Sequence, residues 1–556
     1  MRRIAVVAFA IPLLASMSCS GGGGGGGYTP PPPPSGPEAP QPLQKIYTEH
    51  LGKLDDTTLN PLADVGLIGH DLGISFERDG ELVFLFGDSM AINSAYTNGD
   101  SVAWADPSLN PLTVGAMPKL TWFLESPGQF LPVRIPGVDL GPMNTPVEGV
   151  PIGSKTYLFA VTGWNDATST YSGSALARTD GLALDSLTLV GSVTPSNKFL
   201  NVSVVEDDDT LWIFGSGTYR KSAVYLAKVA SSQIAEHSAW SYFQGYQQGT
   251  AVFGPYESSA TPVVPASCVG ELSVRHHEGL GYLMAFNCDS PRGIHLRFAD
   301  QPTGPWSASM IVFHPTSDLG YGYFIHQGES CVGYDDGLSD PELEDYWGGE
   351  YGPYLVPQWM TVESPGVYSI VYTLSSWNPY RSHLMRTIVA EPGVSASPPP
   401  PAGTGLPRAT LVNGDFAAEN LNGWQTSGEP FAVYQGSDGR WRLTTNVPSE
   451  GGTAVQGEAW QDFVVDAKTH ELRFSVSGGD AADTRVSVKL LLLGTGNEVV
   501  ATVRASRGTG SDSQQRTVHW LLDDLHGKKV RLLIEDHSID TWGYVTTTGF
   551  TLVQSP

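Results

Sequence analysis

Residues 68–90 read IGHDLGISFERDGELVFLFGDSM, and the middle of this stretch decides the fold. Arg78, Asp79 and Gly80 form a turn signal. The VFLF run after the turn is apolar at every position, which marks a strand buried on both faces rather than one face. Asp71 stands just ahead of this hairpin, and Asp88 just behind it. The pattern of an apolar strand following a turn recurs in PIGSKTYLFAVTG (151–163), VVEDDDTLWIFGSG (204–217), HHEGLGYLMAFNC (276–288) and ESPGVYSIVYTLS (363–375). The turns fall near Gly80, Ser154, Asp208, Gly279 and Gly366. Hairpins are antiparallel, yet these strands must be covered on both sides. Blades packed face to face around an axis satisfy both conditions. The expectation is an all-β protein with a five-bladed β-propeller; a two-sheet sandwich accounts for the repeat less well.

The bulk composition agrees. A chain of 556 residues exceeds a single core. Its 57 acidic against 31 basic residues, net −26, exclude nucleic acid and anionic lipid as ligands. With 40% hydrophobic residues and 14 tryptophans the chain is not mainly disordered. Abundant glycine, proline and aromatics with little lysine favour strands and loops.

Two Pro/Gly-rich stretches, residues 20–43 and 391–407, cannot build a core and act as spacers. They separate a body at 44–390 from a tail domain at 408–556. Ahead of them, Arg2 and Arg3 precede IAVVAFAIPLLA, too short to span a bilayer and shaped like the apolar part of a signal peptide. Residues 1–19 end in SMSC and resemble a bacterial lipoprotein signal, which implies lipidation of Cys19 and an exported protein of the outer membrane or cell surface. Ser16 departs from the usual leucine, so plain secretion is the alternative. Membrane attachment would then rest on the N-terminal lipid alone. Of the other cysteines, Cys268 and Cys288 flank one hairpin and are the expected disulfide, leaving Cys331 without an assigned partner.

In a propeller the first strand of each blade lines the channel. Positions six to nine residues before each turn hold Asp71, Glu148, Asn201, Glu271 and the Gln358–Trp359 pair. Unpaired acids are costly to bury, so three carboxylates at comparable depth point to chemistry. Cleaving a glycosidic bond needs one protonated acid for the leaving oxygen and one ionised carboxylate to activate water or attack. Asp71 is the candidate base, Glu271 the candidate acid, and Glu148 a supporting carboxylate, unless it pairs with Arg134 or Arg220. Trp164, Tyr219, Arg220, Tyr321, Tyr323, Tyr351, Tyr354, Trp359, Trp377, Asn378, Tyr380 and Asn201 are suited to binding sugar, since aromatic faces pack on pyranose or furanose C–H groups. Most of these aromatics could equally be core. His276 and His277 read as exposed turn residues, His326 as facing the channel, and Asp88 as a strand-end cap. No metal spacing is present and no cofactor is required; a structural calcium held by the axial acids is one possible reading.

The motifs DLGISFERDGELVFLFGDS, TPVEGV, NVSVV with GTYRKSAVYLAKV, GELSVRHH with IHLRFADQPTGPW, and YGPYLVPQW with LSSWNPYRSHLMR resemble, in order, those of the domain of unknown function 4185 family. That resemblance implies a propeller related in architecture to glycoside hydrolase families such as 43, in which some members look like endo-acting D-arabinofuranases. The wider group takes its base from the first blade and its acid from the fourth, which agrees with Asp71 and Glu271. Its third acid often lies on another blade, whereas the third-blade position here is Asn201. The tail, with NGDFAAENLNGWQTSG, FSVSGGD and IEDHSIDTWGYVTTTGF, resembles the galactose-binding-like jelly-roll sandwiches appended to glycosidases. It departs from them at Tyr544, Thr547 and Thr548. Together these readings imply an exported, monomeric glycoside hydrolase acting on a furanose polysaccharide such as arabinan, by inversion. The competing readings are a non-catalytic surface glycan-binding lipoprotein and a structural propeller.

Overall fold

The computed structural model describes residues 39–55, 59–92, 99–114, 117–180, 184–315, 318, 320–321, 324–326, 348–394, 411–428, 431–436, 439–446, 456–466, 469–478, 486–493, 498–504, 516–538 and 543–554. The signal segment with Cys19, most of the tether, Tyr323, Cys331 and most of the second linker lie outside them. The chain forms two compact units: one from the described residues up to Val312 with Tyr351–Ser375 and Ser382–Val394, the other from Phe313–Glu350, Ser376–Arg381 and Ser395–Pro556.

The first unit carries five antiparallel sheets, and each is a blade. The first blade runs Leu67–Arg78, Glu81–Ala91, Gly99–Ala105 and Thr121–Trp122 from the axis outward. The second runs Pro146–Ile152, Lys155–Thr162, Gly173–Thr179 and Thr188–Ser192. The third begins at Asn201–Asp207 and Thr210–Ser216, and the fourth at Leu272–His277 and Gly281–Asp289. The fifth runs Glu350–Leu355, Val367–Ser376 and Arg381–Ala390, and its outermost strand is Gln44–Lys53 from the start of the body. This last pairing ties the two ends of the propeller into one sheet and leaves no open gap in the ring.

The local chemistry explains the blades. Asp79 and Gly80 both take positive φ, 53° and 82°, as the two-residue turn of a tight hairpin demands. Val83, Phe84, Leu85 and Phe86 are all buried, because neighbouring blades cover both faces of that strand. Inner strands touch through hydroxyls as well as apolar contacts. Leu72 N donates to Ser375 Oγ at 2.7 Å between blades one and five, and Leu355 N donates to Ser273 Oγ at 3.1 Å between five and four. Val274 N donates to Ser203 Oγ at 2.9 Å between four and three. Cys268 and Cys288 are joined as a disulfide beside the fourth blade.

The fifth blade corrects one expectation. The turn at Gly366 joins Val367–Ser376 to the short strand Thr361–Ser364, and a 3-10 turn at Pro357–Trp359 separates that strand from Glu350–Leu355. The blade's channel position therefore belongs to Tyr351, not to Gln358 or Trp359. Trp359 is fully buried, packs tilted against Phe84 with ring centres 5.8 Å apart, and donates its indole N–H to Pro107 O at 3.3 Å. It is core, because the interruption turns it away from the axis.

In the second unit, residues 425–554 form two five-stranded antiparallel sheets, ordered Gln425–Gly428, Gly457–Val464, Lys529–Asp536, Val486–Leu492, Glu498–Arg504 and Ala432–Gln435, Trp441–Thr444, Val545–Gln554, Thr469–Gly478, Arg516–Leu521. Gly457–Val464 alternates buried and half-buried positions, the period-2 signature of a sandwich face. Phe416, Trp424, Phe474, Trp520 and Phe550 centre its core.

Candidate active site

In an antiparallel blade the start of the first strand and the end of the second lie at the same end. Asp71, Asn201, Glu271 and Tyr351 stand at or beside the starts of inner strands, while Asp88, Trp164, Tyr219 and Arg220 follow or close the second strands. These residues gather at one mouth of the channel.

Asp71 is 8% exposed and sits on a strand bulged on both sides of it. Bulges re-aim side chains, and Leu72 beyond it holds a left-handed φ of 65°, a strain of about 1–3 kcal/mol that the Ser375 hydroxyl helps hold. Gly87 lies opposite Asp71 in the hairpin, where a β-carbon would stand 2.6 Å from Asp71 Oδ1 and 2.9 Å from Thr145 Oγ1. Only glycine leaves room for the carboxylate. Asp71 Oδ2 accepts a 2.8 Å hydrogen bond from the Tyr351 hydroxyl.

Glu271, also 8% exposed, accepts at Oε1 from Arg220 Nη2 at 3.2 Å and from the Tyr219 hydroxyl at 3.3 Å. Its Oε2 is buried without a hydrogen-bond partner among the described residues. The Arg220 guanidinium lies 4.9 Å from the centre of the Tyr219 ring and 5.4 Å from that of Tyr351. One arginine and one tyrosine thus link the two carboxylates through successive contacts. Burial, the largest single influence, draws the Arg220 pKa down, but Glu271, Tyr219 and Asp289 together outweigh it and leave the guanidinium more firmly protonated than usual. Burial, then the Asp71 charge, hold the Tyr351 hydroxyl well above the usual tyrosine range.

Behind Asp71 stand two acids. Asp100, absent from the sequence reading, is 1% exposed and accepts from Thr145 Oγ1 at 2.8 Å and from Asp88 N at 3.1 Å. Burial pushes its carboxyl well up, reinforced by the charges of Asp88 and Asp71. Asp88 accepts the Met143 amide at 3.0 Å on both oxygens, so it pins the approach to the second blade. Burial pushes its carboxyl up to about 6. The sequence signal for Asp100 was an acid ahead of the apolar run SVAWA, the pattern that singled out Asp71.

Glu148 has a different job from the catalytic one expected of it. Both its oxygens bind the Arg275 guanidinium, at 2.8 and 3.0 Å, and they also accept from Ser203 Oγ, Val204 N and Gly149 N. Arg275 Nη2 further donates to Ser75 O at 3.0 Å. Arg275 lies four residues past Glu271, roughly 13 Å deeper at the rise of a strand. The pair locks blades one to four together below the acids. At the level of Asp71 the second blade offers Thr145, three residues before Glu148. Arg134 pairs with Glu125 instead.

Of the expected sugar-binding residues, Asn201 is half-buried, its Oδ1 without a hydrogen-bond partner among the described residues. Trp164, Tyr171 and Tyr219 form a trio with ring centres 4.9–5.6 Å apart. Tyr354 is 1% exposed and feels the charges of Glu271, Asp71 and Glu148, which makes it part of the channel's packing. Trp377, Asn378 and Tyr380 belong to the second unit, where Trp377 packs edge-on against Tyr380 and Asn378 O accepts the His326 amide at 2.9 Å. His276 is exposed. On the sandwich, Glu458, Glu535 and His537 converge, but Lys489 Nζ at 2.5 Å from Glu535 Oε1 already supplies the cation there.

The family model described as Domain of unknown function (DUF4185) matches residues 58–386. No curated protein matches the chain. Similar solved structures include a candidate hydrolase from Bacteroides ovatus ATCC 8483, 16% identical with a TM-score of 0.40, over 60% of this chain and 89% of that one. A glycoside hydrolase family 43 arabinoxylan arabinofuranohydrolase from Bacillus subtilis, in complex with cellotetraose, is 12% identical with a TM-score of 0.33, over 91% and 99%. A GH43_1 enzyme from Xanthomonas citri, complexed with xylotriose, is 13% identical with a TM-score of 0.34, over 63% and 91%. At these values none of the three decides what this chain does.

Proposed function

The chain belongs to the DUF4185 family, and we propose that its propeller is a glycoside hydrolase acting on a furanose-containing polysaccharide such as arabinan. The reading is carried by one observation: Asp71 and Glu271 stand at one channel mouth and are linked through Tyr351 and Arg220, Tyr351 bonding the first and Arg220 the second. Glu271 acts as general acid: protonated at Oε2 in the reactive form, it gives that proton to the leaving oxygen, and Arg220 and Tyr219 hold the carboxylate it becomes. Asp71, oriented by Tyr351, takes a proton from water as that water attacks the anomeric carbon from the opposite face. The glycosidic bond breaks as the new C–O bond forms, and configuration inverts. Inversion calls for carboxyl groups roughly 6.5–9.5 Å apart, with room for that water; Asp71 and Glu271 are held by different donors, Tyr351 for the first and Arg220 with Tyr219 for the second, as two separate roles require. Arg220, its charge held by Glu271, and the Trp164–Tyr171–Tyr219 trio offer hydroxyl and C–H contacts to sugar.

The test is incubation of purified protein with arabinan, arabinogalactan and related glycans, beside Asp71→Asn and Glu271→Gln variants. Loss of about 10²–10⁴-fold in both variants is expected. Cleavage retained in both would remove these residues from the mechanism, and binding without cleavage by the wild type would favour a glycan-binding role. Export with lipidation at Cys19 is part of the same proposal; a Cys19→Ala variant should leave the membrane fraction.

A further inference from the structure

An open groove of about 380 Å³ runs along the second blade at the end that bears the acids. Its walls are the end of Lys155–Thr162, the start of Gly173–Thr179, the end of Thr188–Ser192 and the loop at 137–144. This size lies within the usual range for small-molecule sites. Gly163, Gly173 and Gly191 keep its floor low. Leu189, 41% exposed, makes one wall apolar.

The groove is continuous with the channel mouth through Trp164. That ring lines the groove and also meets Tyr219 edge-on at 5.4 Å, and Tyr219 donates to Glu271. An aromatic side chain and an apolar wall match the C–H faces of a sugar, and Asp139 and Asn144 on the same lining offer polar atoms to its hydroxyls. Resting on the glycoside hydrolase reading above, we propose that the second-blade groove is a distal glycan subsite, which holds sugar units several positions from the bond cleaved and makes the enzyme favour long chains over short substrates.

Gly191 provides the probe. A β-carbon there meets nothing within 4 Å, and its φ is not left-handed, so Gly191→Trp fills the groove without strain. The ratio of kcat/KM on arabinan to kcat/KM on a short aryl arabinofuranoside should fall about tenfold in Gly191→Trp. Leu189→Asp, which puts a charge on the apolar wall, should lower the ratio in the same direction. An unchanged ratio in both variants overturns the subsite. If the wild type cleaves nothing, the enzymatic reading fails separately, and binding decides the subsite. Calorimetry with long arabino-oligosaccharides should then show weaker binding to Gly191→Trp, and equal binding overturns it.

Discussion

Arg275 holds Glu148 by both carboxylate oxygens across 127 residues of sequence, at 2.8 and 3.0 Å, with side chains only 11% and 3% exposed. Removing one partner of a buried pair strands the other charge. Arg275→Ala should therefore destabilise the propeller by about 3–5 kcal/mol, read by urea unfolding. Replacing both residues with apolar side chains of similar volume should recover much of that loss. A single variant as stable as wild type would dissolve the lock.

The Tyr351 hydroxyl donates to Asp71, and a hydrogen bond to a charged group contributes about 1.5–3 kcal/mol. Tyr351→Phe should lower kcat by about 10–100-fold with little change in KM, since the ring keeps its place against Arg220. Unaltered kcat would detach Tyr351 from the base.

Gly87→Ala tests the space around the base. The new methyl must displace either Asp71 Oδ1, at 2.6 Å, or Leu72 Cδ1, at 2.7 Å. Activity should drop at least as far as in Tyr351→Phe while circular dichroism stays that of a folded β protein. Full activity would show that the carboxylate position tolerates a shift.

Burial raises the Asp88 carboxyl to about 6, so the folded state binds its proton more tightly than the unfolded chain. Its contribution is fully present below about pH 4 and is lost as pH rises through 6, because the unfolded state then gives up a proton that the folded state keeps. Asp88→Asn, which retains an acceptor for Met143 N, should stabilise the protein by about 1–3 kcal/mol at pH 7 relative to its effect at pH 4. A stability difference between variant and wild type that is flat from pH 4 to 7 would contradict this assignment.

The Cys268–Cys288 bridge closes a loop of 20 residues, a constraint on the unfolded chain of about 3 kcal/mol. A Cys268→Ser, Cys288→Ser double variant should melt several degrees lower, and an identical Tm would show the bridge to be energetically idle.

The propeller was legible because its evidence is local. Each blade repeats a turn and an apolar strand, and the turn chemistry at Asp79–Gly80 and the burial of VFLF depend on neighbouring residues and a simple need for cover. Asp71 and Glu271 were legible by the same counting, since an acid at a fixed distance ahead of a buried strand must face the axis. The count failed at Glu148 and Trp359. Glu148 lies at a depth where Arg275 of the fourth blade can reach it, and no spacing within the second blade reveals that. Trp359 falls in an interruption of the fifth inner strand, which a constant offset from the turn cannot anticipate.

By itself the sequence determined the all-β class, the repeat, and two of the acids at the channel mouth. All of these follow from periodicity and from the cost of burying charge. Only the tertiary structure decided which residues share a level along the axis: Thr145 rather than Glu148, Tyr351 rather than Trp359, and Asp100 beside Asp88. The same holds for Gln44–Lys53 closing the fifth blade and for Arg275 locking four others. Those partners are hundreds of residues apart in places, and only closure of the ring brings them within hydrogen-bonding distance.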